Sequence, residues 1–278
     1  MTSTVCSLLA SKQSTRLEKM VAKKQATGDV RSEPAKLSWL RAAFHFHTFA
    51  YRDPRSAFAS GIGLPVVSPT TVILGLVSSL FSIGDSEGAK SLLGSAHHSQ
   101  VLIDAPSGVV FFRAFHQLRR YETLKYGSNP RFGLTKINQG TREYGLVEGP
   151  ITIYVAVPPD QVDAARLALI NLRHLGTNDS LCSLVGTVEV VDAPSPDVLY
   201  QRRDVFAQQV QREGIDVLSL GVTAVTLSTF KSEQPVSQTM AHWKMAGDRV
   251  DTELVPYVIP GSFQGTSRGR IYRKRKST

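Results

Sequence analysis

The 278-residue chain has an ordinary globular composition, 42% hydrophobic and 20% charged, with enough length to bury a sizeable core in one large domain or one domain with an appendage. No apolar run reaches the roughly 20 residues that a membrane span needs, and Cys6 and Cys182 offer neither a disulfide framework nor a zinc spacing, so a cytoplasmic protein with no membrane partner is expected. The net charge of +9 sits at the ends. Residues 1–34 hold six bases and three acids, residues 261–278 hold six bases and no acid, and twenty of each remain between them. A nucleic-acid surface on the folded part must therefore come from local clustering.

Residues 1–36 are rich in Ser, Thr, Lys and Gln and read as a basic N-terminal extension, either solvated or ordered on RNA or a neighbouring subunit. Its first residues lack a basic region ahead of their apolar ones, so no secretory signal is expected. From Leu40 to Ala50 the sequence predicts a strand, with Phe44 and Phe46 alternating with His45 and His47 to put rings on a core face and imidazoles on the other. A basic, glycine-containing loop, Tyr51 to Pro65, leads to Ser68-Pro69, an N-cap followed by proline at the first helical position. The helix to about Ile83 is apolar on nearly every side and should be covered by protein. Gly75 within it costs about 1 kcal/mol against alanine, which a close approach to a sheet could offset. A short helix over 87–97 is followed by strands over Val101–Asp104 and Val109–Phe115, split by the turn signal Pro106-Ser107-Gly108.

From residue 116 the composition turns basic, and residues 116–149 read as a protruding hairpin with few apolar residues to give a core, turning at Gly127 and Asn129-Pro130. Ile151–Val157 is a β-branched strand that Pro158-Pro159 ends. Asp160 is placed to cap a helix over Gln161–His174, Gly176 to stop it, and Leu181–Val191 returns as a strand. The resulting order β, α, β, insertion, β, α, β gives an α+β, ferredoxin-like domain over 37–193. Residues 194–260 read as a small β-rich C-terminal subdomain: a helical stretch near Val198–Arg212, an extended Val217–Phe230, and one or two strands within Trp243–Ile259. Residues 261–278 read as a flexible basic tail.

No P-loop, G-x-S-x-G, paired-carboxylate or C-x-x-C motif is present, so nucleotide hydrolysis and familiar hydrolase chemistry have no sequence support, and no cofactor is implied. The H-x-H pair His45/His47 has a spacing that some metal sites use, but nothing downstream pairs with it, and a sheet face touching RNA or a subunit is the plainer reading. In the hairpin, cations alternate with rings. Arg113, Arg119, Arg120, Lys125, Arg131, Lys136 and Arg142 suit phosphates, His116 is grouped with them, and Tyr121, Tyr126 and Phe132 suit stacking on unpaired bases, although a solvated charged ribbon has the same composition. Arg52 and Arg55 in the first loop have the same ambiguity.

One stretch carries a family resemblance. Phe-x-Tyr-Arg-x-Pro followed by Leu-Pro-x-x-Ser-Pro-Thr-Thr-x-x-x-Gly-Leu, at Tyr51, Arg52, Pro54, Leu64, Pro65, Pro69, Thr70, Thr71, Gly75 and Leu76, resembles the N-terminal region of the Cas-five family. These are RAMP-superfamily subunits of type I CRISPR surveillance complexes. Arg173-His174-Leu175-Gly176-Thr177-Asn178-Asp179-Ser180-Leu181-Cys182 resembles the family's Leu-Gly-x-x-x-Ser-Leu turn, so that residues 40–190 are spanned. The resemblance implies a ferredoxin-like (RRM/RAMP) fold with the hairpin as a thumb. It also implies a non-catalytic RNA-binding subunit that caps the 5′ handle of the guide RNA (crRNA), with the CRISPR backbone RAMP subunits and the large subunit as partners and target DNA approached indirectly. One branch of the family is a metal-independent endoribonuclease, for which His116, Tyr121 and Lys125 are the residues to group. A third reading is an unrelated ferredoxin-like protein whose charged ends bind RNA nonspecifically.

Overall fold

The alternation of phenylalanine and histidine near residue 45 forms the first strand of the computed structural model, which describes residues 37–53, 60–121, 135–177, 179–194, 201, 202, 204, 208, 221–231, 252–266 and 269–275. The expected N-terminal extension, residues 1–36, lies outside them. Strand β1 (Ser38–Phe46) buries Leu40, Ala42, Phe44 and Phe46, and leaves His45 exposed. After a two-residue strand β2 (Ser60–Gly61), Ser68 accepts a hydrogen bond from the amide of Thr71 at 3.3 Å and Pro69 opens α1 (Pro69–Ser82). Asp85 accepts from the amide of Gly88 at 2.9 Å to start α2 (Ser86–Gly94).

Strand β3 (Gln100–Asp104) precedes a long hairpin, β4 (Gly108–Tyr121) and β5 (Thr135–Glu148), and then come β6 (Ile151–Val157), α3 (Val162–Ile170) and β7 (Cys182–Val191). Their order in the first sheet is β3-β6-β1-β7, every neighbouring pair antiparallel. The buried side chains of α1 and α3 join those of β1 and β6 in one core. On β7, residues 186–188 stand opposite Ala42 alone, a bulge that Gly186 turns with φ +76°. Cys182, at the start of β7, is 5% exposed, and burial pushes its thiol up to about 12.

The helix expected over 161–174 is shorter at both ends. Pro158-Pro159 feeds a 3-10 turn, Pro159–Gln161, and Asp160 lies within that turn instead of capping the helix. At the far end Leu172 bonds back to Leu169, a 3-10 closure, and the chain leaves the helix so that Leu172 and Leu175 reach the core beneath α1. Gly75 is the point of contact. A Cβ there would stand 2.8 Å from Leu175 Cδ2, so the close approach is to this connection and not to a sheet. Gly75→Ala should recover about 1 kcal/mol of helix propensity and lose about 2 kcal/mol by overpacking against the fully buried Leu175. We expect a net melting temperature roughly 3 °C lower by calorimetry; an increase would mean that Leu175 moves freely.

The hairpin is larger than expected and starts earlier. Instead of beginning at 116, it runs from Gly108 to Glu148, and its foot is the middle of a five-stranded sheet, β11-β12-β4-β5-β2, built with β11 (Ser262–Thr266) and β12 (Gly269–Arg273). Val109 and Phe111 are 1% and 2% exposed, so the foot adds to the core. The reading of 261–278 as a flexible tail is likewise corrected. Residues 262–266 and 269–273 are paired strands, and Tyr272 is fully buried. Strand alternation explains why the basic composition misled: Arg270 and Tyr272 share the inner face while Ile271 and Arg273 take the other.

A third sheet, β8-β10-β9, holds β8 (Gln201–Arg202), β9 (Val222–Phe230) and β10 (Thr252–Pro260). Gln201 and Arg202 are thus extended where the helical stretch was expected to begin, while Asp204 and Gln208 within it are helical; the rest of Val198–Arg212 lies outside the described residues. The region expected to be a C-terminal subdomain shares the main core through Val225, Leu227, Val255 and Ile259, and Thr70 Oγ1 of α1 lies 3.2 Å from Ser228 Oγ. Among the described residues no helix is long and apolar enough to cross a membrane.

Candidate nucleic-acid interface

The two sequence stretches that carry the resemblance meet at the foot of the hairpin. Residues 51–53 run antiparallel to 62–64, with Leu64 N donating to Tyr51 O at 2.8 Å and Asp53 N to Ile62 O at 2.7 Å. The turn from Arg173 to Cys182 folds against the segment just ahead of them. Ala50 N donates to Ser180 Oγ at 2.8 Å, Thr177 Oγ1 donates to Ala50 O at 3.2 Å, and Thr48 Oγ1 donates to Asp179 O. Gly176, at φ +96°, lies against the Tyr51 ring, where a Cβ would come within 3.1 Å. Thr71 Oγ1 donates to Tyr51 OH at 3.4 Å, which ties the start of α1 to the same point, and burial holds the Tyr51 phenol above its usual range. The small residues at these positions are therefore explained by packing.

Gly145 N donates to Phe49 O at 2.6 Å and joins the foot of β5 to the end of the first strand. Beside it Glu143, with a side chain only 5% exposed, accepts from Gly63 N at 2.8 Å, from Arg270 Nη2 at 2.7 Å and from Arg113 Nε at 3.5 Å. Burial alone would raise its carboxyl, but the Gly63 amide and the Arg270 guanidinium outweigh that and hold it below the usual range. The Arg270 guanidinium lies 5.3 Å and 5.1 Å from the ring centres of Phe111 and Phe263 and also donates to Gly63 O at 2.8 Å. On the outer face, Asp179 Oδ2 accepts from Arg142 Nη1 at 2.9 Å and from Tyr144 OH at 3.3 Å.

Of the thirteen residues singled out for RNA, Arg52, Arg113 and Arg142 are exposed at the foot of the ribbon. Arg52 lies across Gly61, Arg113 reaches the buried Glu143, and Arg142 pairs with Asp179, both side chains of that pair 45% exposed. The strand register continues outward and places His116 opposite Gly140, Arg119 opposite Ile137, Arg120 opposite Lys136 and Tyr121 opposite Thr135. Arg55, Lys125, Tyr126, Arg131 and Phe132 lie outside the described residues. His45 and His47 form an edge-to-face pair with centroids 5.1 Å apart, and His47 Nε2 lies 3.2 Å from Ser183 Oγ. Among the described residues no group of three His, Cys, Asp or Glu is placed to hold a metal ion.

Sequence reasoning passed over Phe112, Glu143, Tyr144, Asp179 and Arg270. The signal for two of them is the alternation of β5. Glu143 and Gly145 face inward while Tyr144 and Leu146 face out, a pattern that is readable only once the strand is extended beyond the basic segment.

No family model and no curated protein matches the chain. Among solved structures it is similar to a chain of a CRISPR RNA-guided surveillance complex, at 13% identity and TM-score 0.39, covering 81% of this chain and 89% of that one. Each likeness is distant. A CRISPR protein from Archaeoglobus fulgidus gives 12% identity and TM-score 0.35, with coverage of 87% and 93%. A chain of the Type III-B Cmr-beta complex bound to cognate target RNA and AMPPnP gives 11% and 0.32, with coverage of 84% and 86%.

Proposed function

We propose that this chain is a non-catalytic RNA-binding subunit of a type I CRISPR interference complex, in which it holds the 5′ handle of the guide RNA and caps one end of the backbone. The first sheet, with α1 and α3, is read as a ferredoxin-like RAMP domain, and the β4–β5 ribbon as its thumb. The observation that carries this reading is the meeting of the Tyr51–Gly75 stretch and the Leu175–Cys182 turn at one place, directly under a hairpin with fourteen residues in each strand. Residues 108–142 of that hairpin contain seven Lys or Arg and a single acid, Glu122. Such a ribbon binds phosphates through its cations and leaves the bases of a splayed single strand to rings and hydrogen bonds. A large subunit and the neighbouring backbone subunit would contact it on either side, with target DNA met only through them.

The non-catalytic version is supported by spacing. His116 and Tyr121 lie five residues apart on one strand, which separates their Cα atoms by roughly 16 Å. A concerted acid–base pair at one phosphate needs closer groups. Repeat RNA incubated with the protein in EDTA should stay intact; a shortened product would establish the endoribonuclease instead.

Changing Arg119, Arg120 and Lys125 together to alanine should weaken binding of repeat RNA and lower the slope of log affinity against log salt by about 2, the counterion release of three lost phosphate contacts. Filter binding across a salt series reads both. An unchanged affinity with an unchanged slope would remove the ribbon from the RNA path.

A further inference from the structure

Beyond the cations, one feature of the ribbon's outer face is unused by anything above. Phe112 on β4 and Tyr144 on β5 are directly opposed in the register, and their rings lie nearly parallel, 28° apart with centroids separated by 6.1 Å. That separation exceeds face-to-face contact, so the rings overlap only in part. Phe112 is 40% exposed, and the next rung down, Val110 opposite Leu146, is 44% and 60% exposed. Two further interactions fix the Tyr144 side of the pair. Its hydroxyl donates to Asp179 Oδ2, and Asp179 is itself held by Arg142 and anchored through its carbonyl by Thr48.

We propose that Phe112 and Tyr144 form a stacking platform for an unpaired nucleobase, with Asp179 as the residue that positions the Tyr144 ring. The inference rests on the RNA-binding reading and names the residues that take a base. Charge favours a nucleic-acid strand over a polypeptide as the occupant. One rung outward from the rings stands Arg142, and residues 113–142 hold seven Lys or Arg against one acid, so a strand whose base sits on the rings would meet a cationic ribbon. Val110 and Leu146 supply the apolar floor that a base edge or ribose would cover. Arg142 and Asp179 are each 45% exposed, an ion pair weak enough in water for a phosphate to compete for the guanidinium. The shared chemistry is that of any single strand, and ribo- and deoxyribo-oligonucleotides are told apart in the test.

The test uses the full chain with fluorescently labelled oligoadenylate of about 12 nucleotides, the matching oligodeoxyadenylate, and an abasic sugar-phosphate chain of the same length. Phe112→Leu keeps the apolar volume and removes the ring. It should weaken oligoadenylate binding about tenfold, leave abasic-chain binding and the salt slope unchanged, and be rescued by Phe112→Trp. Asp179→Asn, which keeps the shape but weakens the hold on Tyr144, should give a smaller loss in the base-dependent part of binding, while the abasic chain binds as well or better because Arg142 is released. Since Phe112 lies on the outer face, all variants should melt within a few degrees of the parent. If the parent binds oligoadenylate and Phe112→Leu binds it equally well, the platform fails while the RNA reading stands. If the parent binds neither oligonucleotide, both fail. If Phe112→Leu instead breaks up a protein complex without altering oligonucleotide affinity, the face is a protein-docking surface and the platform is overturned. Tighter binding of the ribo- than of the deoxyribo-strand supports RNA as the occupant.

Discussion

Tyr272→Ala is expected to destabilise the protein by about 4 kcal/mol, as for other fully buried aromatic truncations. Tyr272 is the largest fully buried side chain among the described residues, it contacts Phe263, and its hydroxyl donates to the carbonyl of Pro260 at the end of β10. The substitution therefore opens a cavity and also strands a carbonyl acceptor. Urea unfolding should read the loss, with a melting temperature roughly 10 °C lower. Tyr272→Phe fills the space and gives up only the hydrogen bond, at about 1 kcal/mol. A chain ended after residue 261 should lose the fold's integrity outright. Without β11 and β12, strand β4 becomes a long open edge, Glu143 loses Arg270, and Asp104 loses Lys274, so aggregation is expected in place of a soluble, tail-less protein. If the shorter form stays soluble with its parent's melting point, the C-terminal hairpin is an appendage after all.

That contrast also explains which parts of the fold can be read from the residues. The strand at 38–46, the Ser68-Pro69 helix start and the strand at 151–157 are strong local signals, because a period of two, an N-cap with proline, and a β-branched run each act within a few residues. The C-terminal hairpin gives no such signal. In Gly-Arg-Ile-Tyr-Arg-Lys-Arg-Lys the one fully buried ring is surrounded by cations, and what orders it is pairing to β4, more than 150 residues earlier in the chain. The inward face of Arg270 is equally non-local, since it follows from the position of Glu143. Composition correctly picked out the hairpin as the cationic part of a neutral body. It could not show that the cations nearest the core, Arg113 and Arg142, are matched by Glu143 and Asp179. The stacking pair was missed for a related reason. Phe112 and Tyr144 are 32 residues apart in sequence and become neighbours only through a register that no local pattern specifies.

Glu143→Gln should cost about 2 kcal/mol at neutral pH. A buried ion pair broken on one side costs about 3–5 kcal/mol and a surface one up to about 1; Glu143 is almost fully buried, but its main partner Arg270 is 29% exposed, so the value falls between. The amide keeps the acceptor for Gly63 N and loses the charge that holds Arg270 over Phe111, so the loss should be electrostatic and not one of packing. The pH dependence then has a definite sign. The folded carboxyl titrates below its unfolded value, so its stabilisation is complete above the unfolded pKa near 4.5 and is lost as pH falls through the lower folded value. The parent should weaken through that window more than Glu143→Gln does, so that the difference between their unfolding free energies shrinks in acid. Arg270→Met, which removes the other partner, should show a loss that is not additive with Glu143→Gln, because the two substitutions delete the same interaction. A constant gap between parent and Glu143→Gln from neutral pH down through the lowered folded pKa of the carboxyl would mean that the carboxylate's charge contributes nothing. The foot of the ribbon would then be held by its strand pairing and packing.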